Sequence, residues 1–331
     1  MNLQELEARR AELENYRKRF RTCAINLTAG ATVIGAILGV IYGPHIWAEG
    51  GGYLGPGRGA ACGAAILFSL FLVFFMITWK ITGAKKERVL KEAFKSGIVA
   101  GELQSAFQDV DYRPKGSYDK EYVNKLRVFR RFDIARGNDY VRGSHRGRKF
   151  SRCDEDLVDE VTYTEKDSDG TTSTRTEYET RFAGTFTALE LPNAAFGRLL
   201  VVADYMRHTA AIPKQGEAPK QMAIFSGADS GVSSSLDTLK FKREYSVSAQ
   251  NAAMLTPHRI ECLRKLDESI QNRFAVLFEG DKLHLIVEGE NCFEVALGKN
   301  SLPIAEQQAR IALQVKKLTE RLDLLLELEK E

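Results

Sequence analysis

Arg142, Arg146 and Arg148 are the residues whose type and spacing come closest to a chemical site, because clustered guanidinium groups hold phosphate or carboxylate through paired N–H donors. They precede Asp154-Glu155-Asp156, and neighbouring opposite charges of this kind usually form a solvated ion network. The five histidines, His45, His145, His208, His258 and His284, show neither HxxxH spacing nor a GxSxG-type nucleophile context. Asp167 and Asp169 hint at a calcium loop, but the position that needs a bidentate carboxylate holds Tyr178 and the central glycine is displaced. No pair among Cys23, Cys62, Cys153, Cys262 and Cys292 has CxxC spacing, which points to reduced, mostly buried thiols rather than a zinc or redox centre. The glycine-rich stretch Gly50–Gly59 lacks the Lys-Ser/Thr ending of a phosphate loop and reads as a flexible turn. Nucleophile, base and oxyanion donor never come together, so the expectation is a protein that is not an enzyme and needs no cofactor or metal.

The elements around these residues are unusual. The 331 residues carry 47 basic and 44 acidic side chains, a balance without the basic excess of nucleic-acid binders. The apolar residues are concentrated. Thr22–Ala48 and Gly59–Trp79 contain no formal charge, and each supplies the roughly 20 residues that cross a bilayer core of about 30 Å. The expectation is two membrane spans, near Ala24–Tyr42 and Ala60–Trp79, with Tyr42, Trp47, Tyr53 and Trp79 near their ends, where amphipathic rings prefer to sit. A secretory signal fits poorly, because 21 residues with many charges precede the first span and a second span follows at once. Arg9, Arg10, Arg17, Lys18, Arg19 and Arg21 precede the first span, and Lys80, Lys85, Lys86, Arg88, Lys91 and Lys95 follow the second. The intervening loop has one basic residue, so the positive-inside rule places both termini in the cytoplasm. The lipid bilayer is the first expected partner, with no nucleic acid.

In the first span Ala31, Gly35, Gly39 and Gly43 recur every four residues on one helix face, and the second offers Ala61, Ala65 and Ser69. Small faces let two backbones approach closely in lipid, either closing a tight hairpin or joining copies of the chain. A pore ranks last, since the spans lack the ionisable residues that mark a conduction path.

Beyond the membrane the pattern predicts an α+β fold, rich in antiparallel strands. The division is a basic N-terminal helix (1–22), the two-span hairpin (23–83), a helical connector (84–124), the α+β domain (125–302) and an amphipathic closing helix (303–331). Gly97 reads as a cap ending the connector helix Ala84–Ser96. Gly137-Asn138-Asp139 reads as a turn between short strands, and Lys166–Gly170 as the loop of a hairpin. Thr256-Pro257 is a helix start, and Phe274–Phe278 with Lys282–Val287 a final hairpin. Residues 209–237 lose pattern and read as a polar insertion. In the closing helix Ile304, Ile311, Val315, Leu318, Leu322 and Leu325 form a seam that either docks on the domain or pairs with another helix.

Four segments carry a resemblance. Phe132-Asp133-Ile134-Ala135-Arg136-Gly137-Asn138-Asp139-Tyr140-Val141-Arg142-Gly143, followed by Gly147-Arg148, is similar to the signature of an uncharacterised bacterial family. So are Phe182-Ala183-Gly184-Thr185-Phe186, Leu255-Thr256-Pro257 and the helix after Pro303. That family is a domain of unknown function with two membrane helices and a cytoplasmic domain. The resemblance implies a LemA-type membrane protein as partner and supplies no catalytic residues. This chain departs from the family in the insertion at 209–237. The function expected first is an interaction or scaffolding module, working through the glycine face, the sheet edges and the terminal helix. The alternative is a membrane-tethered enzyme or ligand sensor holding an anionic small molecule at Arg142, Arg146 and Arg148.

Overall fold

The computed structural model describes residues 3–48, 56–129, 132–166, 169, 172–192, 196–203, 223–225, 245–249, 254–297 and 302–330. The chain divides into two compact units, residues 1–97 with 295–307 and residues 98–294 with 308–331.

The first unit is built on two helices long and apolar enough to cross a membrane, α1 (Leu3–Ala48) and α2 (Pro56–Thr78). The sequence divides 1–22 from the first apolar run; the structure joins them in one helix of 46 residues. Neither glycine nor proline occurs between Leu3 and Ala29, so nothing breaks the hydrogen-bond ladder at the polar-to-apolar boundary. At about 1.5 Å per residue α1 is about 69 Å long, more than twice a hydrocarbon core, so its polar half lies beyond the span length.

Two glycines set how closely α1 and α2 pack. A Cβ on Gly35 would overlap the Gly63 carbonyl, and one on Gly63 would overlap the Gly35 carbonyl and lie 3.2 Å from the Gly39 Cα. Ala31 and Gly35 are buried and Gly39 half-buried in this contact, with Gly43 further along α1. The second helix differs from the sequence expectation. Ala61, Ala65 and Ser69 are exposed, and the close approach runs through Gly63, flanked by the half-buried Ala64. An i, i+4 row of small residues shows that a face exists; which face turns inward depends on the partner's shape, and only Gly63 leaves room for the Gly35 carbonyl. At the other end of the hairpin Phe20 packs on Phe75 (5.7 Å) and Trp79 (5.3 Å), and the Tyr16 hydroxyl is 2.6 Å from that of Thr82. Arg17 pairs with Glu87 at 2.7 Å.

A π-helical turn (Trp79–Gly83) leads into α3 (Ala84–Phe94), and a second (Lys95–Val99) into α4 (Ala100–Ala106). Gly97 therefore lies within the second π-turn and does not cap α3, because Ile98, Val99 and Leu103 are buried and carry the helical path forward.

The second unit is a nine-stranded antiparallel sheet among the described residues. Its strands are β1 (Gln108–Arg113), β2 (Ile134–His145), β3 (Arg148–Lys166), β4 (Thr172–Glu190), β5 (Phe196–Ala203), β6 (Ala223–Phe225), β7 (Tyr245–Ala249), β8 (Phe274–Gly280) and β9 (Lys282–Glu288). They lie in the order β1-β2-β3-β4-β9-β8-β5-β7-β6. With α5 (Lys120–Lys125), α6 (Pro257–Ser269) and α7 (Ile304–Glu329) the fold is α+β, as the sequence predicts. Thr256 caps α6 by accepting from the Arg259 N–H, with Pro257 in the first turn. β1 falls in a stretch the sequence leaves without a strand. The predicted turn at Gly137–Asp139 is instead a bulge inside one long strand, with Asp139 at φ 57°. Asp139 adopts that conformation because its N–H bonds the Pro114 carbonyl (3.1 Å) and its carboxylate, fully buried, accepts from Tyr112. The insertion at 209–237 lies outside the described residues except for β6.

Strand alternation gives the sheet two buried faces. On one face, Leu157, Phe182, Phe186, Leu200, Leu277 and Ile286 form a core closed by Val123, Val128, Phe129 and Phe132 of the β1–β2 connection. On the other, α6 sets Arg259 over the Phe278 ring at 5.5 Å, and α7 joins it through its C-terminal turns. Arg259 Nε donates to the Leu328 carbonyl (3.2 Å) and Arg321 grips Glu290 through two 2.6 Å bonds. The apolar seam of α7 is buried within the chain, each of its six residues at most 6% exposed, so it is not free to pair with another helix.

Candidate functional site

A cleft of about 460 Å³ opens in the second unit where the β1–β2 connection stops covering the sheet. Its walls come from short-range geometry. β1 ends at Arg113, and Gly116 N–H returns to the Arg113 carbonyl (3.0 Å) to close a turn. The turn lies so close to the sheet that a Cβ on Gly137 would approach Ser117 Cβ at 2.6 Å and Glu155 Cδ at 2.7 Å. Tyr118 follows, and its N–H donates to Glu155 Oε1 at 2.6 Å, tying the connection to β3. Tyr118 stacks on Tyr122 at 4.8 Å and meets Tyr140 edge-on at 5.6 Å. Its hydroxyl lies 2.7 Å from Ser151 Oγ.

Around these rings stand Arg113, Arg142 and Lys282, with Asp119 and Glu190 on the lining. Lys282 Nζ sits 5.3 Å above the Tyr122 ring, and the Arg113 guanidinium 5.9 Å from that of Tyr140. Arg113 is held at 2.5 Å by Asp111. Arg142 is exposed and has no ion pair among the described residues. Aromatic faces beside unneutralised cations suit an anion that carries a flat ring, and the volume is within the roughly 300–1,000 Å³ typical of small-molecule sites.

Burial disfavours charge on the groups packed at the base of the cleft. Burial pushes the Glu155 carboxyl up to about 7, even though the Cys153 thiol (3.2 Å) and the Tyr118 N–H donate to it. Burial and the neighbouring Glu155 push the Cys153 thiol up, and burial raises the Tyr118 and Tyr122 hydroxyls. His284, 3% exposed, is driven down to about 3 by burial, helped by Lys282 and Arg198. Glu155, Cys153 and His284 support the floor but do not line the cleft.

The three arginines are separated by the fold. Arg142 reaches the cleft, whereas Arg146 pairs with Asp323 at 2.8 Å and Arg148 with Glu329 at 3.0 Å, both on α7. His145 also approaches Asp323, at 2.6 Å. The expected network with Asp154-Glu155-Asp156 does not form, because strand alternation buries Asp154 and Glu155 on opposite faces and leaves only Asp156 exposed. Among the described residues, no group of three or more His, Cys, Asp or Glu side chains is placed to hold a metal ion.

Residues 180–329 match a family described as "Protein of unknown function (DUF3137)". That range runs from β4 to the end of α7 and contains Phe182–Phe186, Leu255–Pro257 and the closing helix; Phe132–Arg148 lies before it. No curated protein matches the chain. Among solved structures, the mycobacterial trehalose monomycolate transport factor A, TtfA, is similar at 8% identity and a TM-score of 0.33, covering 69% of this chain and 93% of that one. A likeness that weak carries no argument about fold or role.

Sequence reasoning overlooks five residues of the cleft: Arg113, Tyr118, Tyr122, Tyr140 and Lys282. The available signal was the Tyr118–Tyr122 spacing of four beside Gly116 at the end of the segment read as a helical connector, with Tyr140 following in the first predicted strands. Lys282 comes from a strand 140 residues after Arg142 and meets the others only through the β4–β9 pairing.

Proposed function

We propose that this chain is an integral protein of a bacterial inner membrane, with both termini in the cytoplasm, that tethers a ligand-binding α+β domain. The cleft between the Tyr118–Tyr122 stack and Arg142 would take an anionic small molecule with a flat ring. The observation that carries this reading is the meeting, in one cavity, of three tyrosines with Arg142, which has no ion pair among the described residues. Membrane insertion is supported by the apolar side chains that α1 and α2 leave exposed, such as Val33 at 60% and Ile66 at 60%, which water does not favour. The basic clusters flanking the hairpin support the orientation. Binding fits better than catalysis, since Glu155 and Cys153 lie under the cleft rather than in it, and burial raises the Tyr118 and Tyr122 hydroxyls of the lining so that they stay protonated.

The test is a thermal-shift screen of the full-length protein in detergent against nucleotides and phosphorylated metabolites. Stabilisation by a ring-bearing anion, weakened about tenfold in Arg142→Ala, is the expected outcome for loss of one charged hydrogen-bonding partner. Silence across the panel overturns the site. Protease added outside spheroplasts tests the topology, because digestion of the domain would contradict a cytoplasmic location.

A scaffolding role is the second reading, and one observation favours it. Among the described residues, 159–166 of β3 and 172–179 of β4 pair in the sheet only with each other, extending past it with Tyr163 and Tyr178 exposed. A two-stranded ribbon is marginal on its own in water, so a partner would stabilise it. On the resemblance alone that partner is a LemA-type membrane protein. Affinity purification from native membranes, with the arm residues 160–181 replaced by a short turn, tests whether the arm recruits one.

A further inference from the structure

On the opposite face of the sheet a separate cavity of about 200 Å³ lies under the loop that follows β9 and beside α7. Its floor holds Arg152, 2% exposed, one residue from Cys153 but pointing the other way. Arg152 Nη2 donates to Asp154, and the guanidinium lies 4.7 Å from the Phe293 ring. Its other terminal nitrogen, Nη1, is buried and has no hydrogen-bond partner among the described residues. A buried guanidinium donor is rarely left unmet, because desolvating it without a partner is costly.

The rest of the lining is rich in donors. Gln314 uses its oxygen to accept the Phe293 N–H (3.0 Å), which leaves its amide N–H groups available. Thr185 and Thr187 are buried residues on the same floor. Lys317 lines the cavity with no ion pair among the described residues. The one carboxylate on the lining, Glu290, is already gripped at both oxygens by Arg321. The cavity is smaller than the roughly 300 Å³ at which sites for ring-bearing ligands begin.

We infer that this cavity is a binding site for a single phosphate-sized oxyanion, held by the buried Arg152 Nη1 and the exposed Lys317 between the loop after β9 and α7. The site is independent of the tyrosine cleft. Its ligand would tie the loop after β9 to the C-terminal helix, the element that also neutralises Arg146 and Arg148.

Isothermal titration of the full-length protein in detergent with inorganic phosphate, at fixed ionic strength, tests it. Wild type should bind saturably at one site. Lys317→Met and Thr187→Val should each weaken binding, the lysine change by about tenfold, as expected for one charged donor. Arg152→Met should abolish it; if that variant fails to fold, Thr187→Val and Lys317→Met decide. Arg142→Ala should leave it unchanged. Absence of saturable binding, meaning that water alone fills the cavity, overturns the inference. So does binding that survives both Lys317→Met and Thr187→Val, or that disappears in Arg142→Ala. Acetate should fail to displace phosphate at equal concentration; displacement would overturn the assignment to a tetrahedral anion.

Discussion

The two faces of β3 solve the same problem in opposite ways. Arg152 and Asp154 point to one face, Cys153 and Glu155 to the other, and all four are nearly inaccessible to water. On the α7 face the charged groups are paired: Arg152 and Asp154 bond each other, and Asp154 also accepts the Cys292 N–H at 3.2 Å. On the tyrosine face Glu155 has no counter-ion among the described residues, so burial raises it to about 7, and His284 on the same face is neutral down to about 3. A buried charge persists where the fold supplies its opposite; elsewhere the group holds or sheds its proton instead. One strand thus separates an ionic layer from a titratable one across the thickness of a backbone.

The largest effect that would break this contrast is Asp154→Ala. It leaves Arg152 buried without its counter-ion, and a loss of about 3–5 kcal/mol in unfolding free energy is expected by denaturant titration of the detergent-solubilised chain. A change below 1 kcal/mol would show that the ionic layer is hydrated. Glu155→Gln should act the other way. Because its folded value lies above the ordinary 4.5, Glu155 leaves stability intact below pH 4.5 and erodes it as pH rises to about 7. Gln should therefore stabilise the protein by about 3 kcal/mol at pH 8 and have little effect at pH 4. An unchanged slope between those limits would mean that Glu155 is ionised in the fold. His284 has the reverse sign: its folded value is below the ordinary 6.5, so its contribution is complete above pH 6.5 and falls away in acid. His284→Met should remove about 2 kcal/mol of acid sensitivity between pH 6.5 and pH 5, seen as a flatter melting-temperature profile. Tyr118→Phe is the smallest change, about 1 kcal/mol for its hydroxyl contact with Ser151, with the ring stack on Tyr122 preserved.

Much of the architecture was legible because it depends on local pattern. The hairpin around 166–170, the β8–β9 pair, the capped start of α6 and the long closing helix all appear where alternation, turn chemistry and capping place them. The elements misread are those decided by contacts distant in sequence. Asp139 sits in a bulge rather than a turn because Pro114 and Tyr112 hold it, and Gly97 lies inside a helical path because Ile98 and Val99 find a core. The arginine cluster was visible as a cluster, but only Arg142 keeps an open charge, since α7 brings Asp323 and Glu329 to the other two.

By itself, the sequence determined the two apolar helices, the balance of charge, the α+β class and the apolar stripe of α7. Those follow from composition and from periods of two and about 3.6 residues, which each segment carries within itself. Tertiary structure alone decided that Gly63 rather than Ala65 meets Gly35, that the α7 stripe turns inward, and that tyrosines from a connector join a lysine from the last strand. Those outcomes rest on shape and burial between segments far apart in the chain, which also bury Arg152 beside Asp154 and leave burial to raise Glu155.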